Sequence, residues 1–222
     1  MELSPRAASI CKQRAMSYVY LNRKGTSPNA PLLLLLHGYG SNERDLFSFA
    51  SYIPEAYHVV SLQAPLPMSH ESFAWFPIHF TESMERWTNP NEVKKAMDYI
   101  AKFLLYYEDK EVYDSNRIFL MGFSQGAMLS YAHGLYSKAV KGIAALSGYI
   151  DPRFVDFINK EISSIYVSHG TQDVVVPYAW AEQSVEKLNA YGISPDFHSY
   201  PQGHGVNQDN LTTVIQWLQE QL

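Results

Sequence analysis

The strongest chemical signal in the chain is Gly122-Phe123-Ser124-Gln125-Gly126. The motif follows an apolar run, Ile118 to Met121, and opens a stretch with helical spacing. A serine between two glycines at a tight strand-to-helix turn is held in a strained backbone conformation that lifts its Oγ above the sheet. A side chain at Gly122 or Gly126 would crowd the neighbouring strand or helix. The start of the helix directs backbone amides and a partial positive charge at the same place. Such a turn serves nucleophilic attack by Ser124 on an acyl carbon.

A hydroxyl is a poor nucleophile without a base, so one of the eight histidines must reach it. His204 stands in Gln202-Gly203-His204-Gly205, directly after the strand-like Asp196 to Tyr200 and near the C-terminus. The acid should follow a strand between Ser124 and His204. Asp173, in His169-Gly170-Thr171-Gln172-Asp173, does so; it would fix the tautomer of His204 and stabilise the imidazolium that forms. Asp151 is its rival, although Pro152 beside it suits a helix N-cap better. The developing oxyanion needs two donors. The amide of Gln125, next to the nucleophile, is one, and the amide of Tyr39 in His37-Gly38-Tyr39-Gly40 is the other. His37 and His169 each precede a glycine at a strand end and should shape this face by hydrogen bonding. His58, His133 and His198 read as structural or exposed.

These residues need a scaffold that brings distant loops together. Short runs of β-branched and aliphatic residues alternate with longer stretches of three- and four-residue apolar spacing. Strands are expected at Ser17–Leu21, Leu32–Leu36, His58–Leu62, Arg117–Met121, Lys141–Leu146, Ser164–Ser168 and Asp196–Tyr200. Helices are expected from near Glu43, capped by Ser41 or Asn42, and over Asn91–Asp109, Gln125–Tyr136, Tyr178–Tyr191 and Asn207–Gln221. A short helix is expected after Pro152. The alternation predicts an α/β domain spanning residues 1–222, with a mostly parallel central sheet and helices on both faces. Ligands of such sheets bind beyond the carboxyl ends of the strands. Pro65 to Pro90 breaks the pattern. It is aromatic-rich and without period, and it is too long for an ordinary connection; loops of this length are usually functional or disordered, and the aromatics argue against disorder.

Bulk properties remove other classes. A net charge of −5 with no basic run leaves no footprint for nucleic acid. The longest aliphatic run, Leu32 to Leu36, is far short of the roughly 18 residues that span a bilayer, so stable membrane insertion is not expected. Cys11 is the single cysteine and sits in a charged segment without turn signals, which reads as structural or incidental. Met1 to Met16 carries no apolar signal core, and a cytoplasmic location is expected. No zincin-type histidine spacing, G-x-G-x-x-G fingerprint or P-loop is present, so neither metal nor cofactor is expected. The abundance of aromatics leaves room for a homodimer interface.

Taken in order, Leu36-His37-Gly38-Tyr39-Gly40, Gly122 to Ala127, Leu146-Ser147-Gly148, His169 to Asp173 with Val176-Pro177, and Gly203-His204 resemble the phospholipase/carboxylesterase family of α/β-hydrolases. That family includes acyl-protein thioesterases and small carboxylesterases. The resemblance implies the α/β-hydrolase fold and a cofactor-free hydrolase of carboxylic esters or thioesters with short to medium acyl chains. It also implies a triad of Ser124, Asp173 and His204, with Tyr39 and Gln125 as oxyanion donors. Trp75 and Phe76 match the family's substrate-side segment and are expected to bind substrate. Pro77 follows them where the family often has an acidic residue. A peptidase or acyltransferase with the same triad is an alternative, as is a non-catalytic binding protein of the same fold; the complete site argues against the latter.

Overall fold

The structure, a computed structural model, describes residues 17–80, 86–155 and 161–222. Its strands and helices are, in chain order, β1 (Tyr20–Arg23), β2 (Pro31–Leu36), α1 (Arg44–Phe47), β3 (His58–Leu62), β4 (Leu66–Ser69), β5 (Ser72–Ala74), β6 (His79–Phe80), β7 (Arg86–Trp87), α2 (Pro90–Glu108), β8 (Asp114–Phe123), α3 (Gln125–Gly134), β9 (Val140–Leu146), β10 (Ser164–Gly170), α4 (Tyr178–Ala190), β11 (Asp196–Tyr200) and α5 (Gln208–Glu220).

Seven strands form one sheet in the order β1-β3-β2-β8-β9-β10-β11. Only the edge strand β1 runs antiparallel; every other pairing is parallel. The run of leucines in β2 follows from this position. Leu32, Leu34 and Leu36 point into one apolar layer, while Leu33 and Leu35 point into the other, so a period of two buries both sets. The first layer is closed by Ile100 and Phe103 of α2, Leu129 of α3 and Leu188 of α4. The second is closed by Leu46 of α1 and by Leu211, Val214 and Trp217 of α5. Asn89 caps α2 by accepting from the Asn91 N–H at 3.0 Å, and Asn207 caps α5 through the Asn210 N–H at 2.9 Å.

Three local expectations change. The helix near Glu43 is one turn long; of the apolar residues expected to form its buried stripe, Leu46, Ala50 and Ile53 are buried and Phe47 is partly buried. Turns carry the chain onward after Phe47, so the apolar spacing is satisfied without a regular helix. Residues 152–154 form a turn, and the remainder of the helix expected there falls outside the described residues. The stretch from Pro65 to Pro90 is not a plain loop but holds two antiparallel ribbons, β4–β5 and β6–β7. Strands of two to four residues are too short to print a period on the sequence. Cys11 also lies outside the described residues.

Candidate active site

Beyond the carboxyl ends of the parallel strands lies a cavity of about 330 Å³. Each of its walls begins where a strand stops. Gly38 and Tyr39 follow β2, Ser124 and Met128 follow β8, and Tyr149 follows β9. Val176 and Trp180 follow β10, and His204 follows β11.

Ser124 has φ 54° and ψ −114°, a backbone state that is costly for any residue with a side chain. It persists because its surroundings allow nothing else. Its N–H donates to the Leu146 carbonyl at 2.8 Å. A Cβ on Gly126 would stand 1.9 Å from the Leu36 carbonyl oxygen, and one on Gly122 would stand 2.2 Å from the carbonyl of Gly126. Strand β2, strand β8 and helix α3 therefore close to a distance that only glycine permits. The turn aims Oγ at His204, whose Nε2 is 2.9 Å away. The imidazole Nδ1–H donates to Asp173 Oδ2 at 2.7 Å. A carboxylate can only accept, so Nδ1 carries the proton and Nε2 is left as an acceptor for the serine hydroxyl.

Asp173 is buried. Burial by itself pushes its pKa up, but hydrogen bonds from His204 and from the N–H groups of Val176 and Val175 outweigh it and hold the carboxyl below its ordinary range. The two backbone donors reach Oδ1 at 2.9 and 2.8 Å. His169 stands on the other side, with Nε2 2.9 Å from the Val176 carbonyl and 3.2 Å from Asp173 Oδ2. Burial lowers the pKa of His169, so it is a neutral donor rather than a second cation. The His204 loop is braced by Gln202, which donates to the Gly205 carbonyl and accepts from the Asn207 N–H. The Phe123 ring lies 4.9 Å from the imidazole, centroid to centroid.

Asp151, the rival acid, is not the partner of His204, whose Nδ1 is taken by Asp173. The Asp151 carboxylate accepts from the backbone N–H and the guanidinium of Arg153, so it anchors a turn. Gln125 opens α3, and its amide therefore has no partner within the helix. Tyr39 lines the same cavity as Ser124. His37 is buried and neutral: Nδ1–H donates to the Gly38 carbonyl at 2.8 Å and Nε2 accepts from the Ala64 N–H at 3.0 Å. It thereby shapes the loop that carries Tyr39. His58 is buried against the Tyr107 hydroxyl, and His198 stacks on Tyr166.

The two aromatic residues separate. Both are 1% exposed, but only Phe76 lines the cavity; the Trp75 indole N–H is turned to the His37 carbonyl, to which it donates at 2.8 Å. Trp75 and Phe76 sit at a bend after β5 and belong to the same apolar layer. The Gln125 side chain holds this segment in place. It accepts from the Trp75 N–H at 2.9 Å and donates to the Phe76 carbonyl at 2.7 Å. Sequence reasoning missed that bond, and it also missed Met128, Tyr149, Arg153 and Trp180 in the cavity wall. Met128 was legible, since it lies one helical turn past Ser124.

Residues 23–222 match the family model described as Phospholipase/Carboxylesterase. The chain belongs to this family. Acyl-protein thioesterase 1 of Mycosarcoma maydis is 28% identical over 229 residues, covering 89% of this chain and 93% of that protein. Acyl-protein thioesterase 1 of Candida albicans is 26% identical, covering 92% and 97%. The crystal structure of esterase PE8 superposes with a TM-score of 0.82 at 28% identity, covering 93% of this chain and all of that one. The protein is an esterase-type hydrolase with the α/β-hydrolase fold. Among the described residues no helix is long and apolar enough to cross a membrane.

Proposed function

We propose that Ser124, His204 and Asp173 form the catalytic triad of a hydrolase acting on carboxylic esters or thioesters with short to medium acyl chains. The observation that carries this reading is the continuous hydrogen-bonded line from Asp173 through His204 to Ser124, opening on a cavity. His204 takes the Ser124 proton at Nε2 as Oγ bonds to the acyl carbon. The backbone amides of Gln125 and Tyr39 receive the oxyanion. The bond to the alcohol or thiol then breaks, and the leaving group departs with the proton from His204. Water attacks the acyl-enzyme, gives its proton to Nε2, and frees the carboxylic acid as Oγ regains a proton. Asp173, held ionised, keeps the imidazole in the required tautomer throughout. The cavity volume, near the low end of the roughly 300–1,000 Å³ usual for ligand sites, supports a short to medium acyl chain.

The test is a panel of p-nitrophenyl esters and acyl thioesters of increasing chain length, together with a fluorophosphonate probe. Turnover should be greatest for short and medium chains. Ser124→Ala should lower kcat by about 10⁶-fold and abolish labelling. Labelling that survives in Ser124→Ala would place the nucleophile elsewhere.

A further inference from the structure

Arg153 is the one cavity-lining residue with a permanent positive charge among those described, and the hydrolytic steps make no use of it. It stands in the wall shared with a neighbouring cavity of about 410 Å³. Two neighbours hold it in one orientation. The Asp151 carboxylate, 4% exposed, accepts from the Arg153 backbone N–H at 3.0 Å, from Nε at 2.9 Å and from Nη2. The Phe154 ring lies against the guanidinium, 5.5 Å from its carbon to the ring centroid. The Nε–Nη2 edge is thus committed to Asp151. Nη1 has no hydrogen-bond partner among the described residues.

A guanidinium fixed in this way loses little side-chain freedom when it binds a ligand. The Arg153 side chain is 42% exposed and so can be reached by a ligand, while Phe76, Met128, Val176 and Trp180 line the same cavity with apolar surface. The only carboxylate among the described lining residues, Asp45, accepts from the Ser41 hydroxyl at 2.8 Å. With the Nε–Nη2 edge taken by Asp151, only the Nη1 side is left to donate, which suits one carboxylate oxygen better than the several oxygens of a doubly charged phosphate.

We propose that Arg153 is a specificity residue that selects esters whose acyl or alcohol portion ends in a carboxylate. This rests on the hydrolase reading above and narrows its substrate class. The carboxylate would accept from Nη1, with the scissile carbonyl at Ser124 in the same cavity.

The experiment compares each carboxylate-ended ester with a neutral ester in which an isopropyl group replaces the carboxylate. One arm uses mono-p-nitrophenyl adipate, with the charge on the acyl side. The other uses ω-acetoxybutyrate, with the charge on the alcohol side, followed by acid release. In at least one arm kcat/KM should favour the charged ester by about 10-fold or more, mainly through KM, the scale of a charge-assisted hydrogen bond. Arg153→Gln should bring that ratio to about one. Because the ratio is taken within one variant, it does not depend on how much of the protein folds. If Arg153→Gln fails to fold because it strands Asp151, the double variant Asp151→Asn/Arg153→Gln keeps the site neutral and should show the same loss. A wild-type ratio of one or less in both arms, or a preference that survives Arg153→Gln, overturns the proposal. In either case turnover of the neutral esters leaves the hydrolase reading standing. Absence of turnover for every ester, together with absent Ser124 labelling, overturns that reading and this one with it.

Discussion

At Asp173 the environment works in two directions. Burial favours the neutral acid, while Val175, Val176 and His204 all present N–H groups to the carboxylate. The donors prevail and the carboxyl titrates below its ordinary range. A depressed native pKa contributes stability at pH values above the unfolded carboxylate range, and that contribution is lost as pH falls through the native value. Asp173→Asn should therefore cost more than a charge. An amide cannot accept on both sides, so its NH₂ must face a donor, and the imidazole is free to adopt the wrong tautomer. The expected loss in kcat is about 10⁴-fold, read with a p-nitrophenyl ester at neutral pH. A loss below tenfold would remove Asp173 from the relay.

At the scale of elements, the N-terminus of α3 does more than present Ser124. Gln125 reaches from the helix to the segment between β5 and β6, pairing with the Trp75 N–H and the Phe76 carbonyl. Both are buried, so loss of the partner leaves two polar groups without one. Gln125→Leu should lower stability by about 2 kcal/mol or more. It should also speed amide exchange at Trp75 and depress turnover, because Phe76 is part of the cavity wall. Urea unfolding and hydrogen exchange would measure the two effects. Unchanged protection at Trp75 would show that the segment is held by β5 and the Trp75 indole alone. Helix α2 illustrates the opposite case, an element defined locally. Its Asn89 cap, Pro90 start and buried Val93, Ala96, Ile100 and Phe103 are all consequences of spacing.

For the molecule as a whole, the buried histidines set the response to acid. His133 is enclosed between α2 and α3, and its burial lowers its pKa from 6.5 to about 4. His37, His58 and His169 are shifted downward for the same reason. Between those two pH values the unfolded chain binds protons that the folded chain refuses, so stability must rise with pH. The contribution of His133 is on the order of 3 kcal/mol across the window from pH 6.5 down to about 4. Urea midpoints measured between pH 4 and 7 should climb with pH, and His133→Gln should flatten that climb. An unaltered slope in the variant would mean that other groups govern acid unfolding.

What the sequence determined by itself is whatever depends on neighbours along the chain. Period-two burial in β2, three- and four-residue spacing in α2, and the glycines around Ser124 are local facts, and local sterics make each legible. Motif order went one step further. Ser124, Asp173 and His204 follow three different strands of a parallel sheet, and a parallel sheet brings its carboxyl ends to one side. Tertiary structure decided what depends on segments that meet only after folding. Trp75 and Phe76 are adjacent in sequence and equally buried, yet only Phe76 reaches the cavity, because the Trp75 indole is bonded to the His37 carbonyl after β2. Asp151 and Asp173 both follow strands, yet only Asp173 bonds to His204, while Asp151 is bonded to Arg153. The short ribbons between Pro65 and Pro90 left no period to read, and they frame the wall that contacts substrate in the proposed reaction. Reaction type rests on a motif and its order. Selectivity rests on loops whose side chains come into contact only once the sheet has assembled.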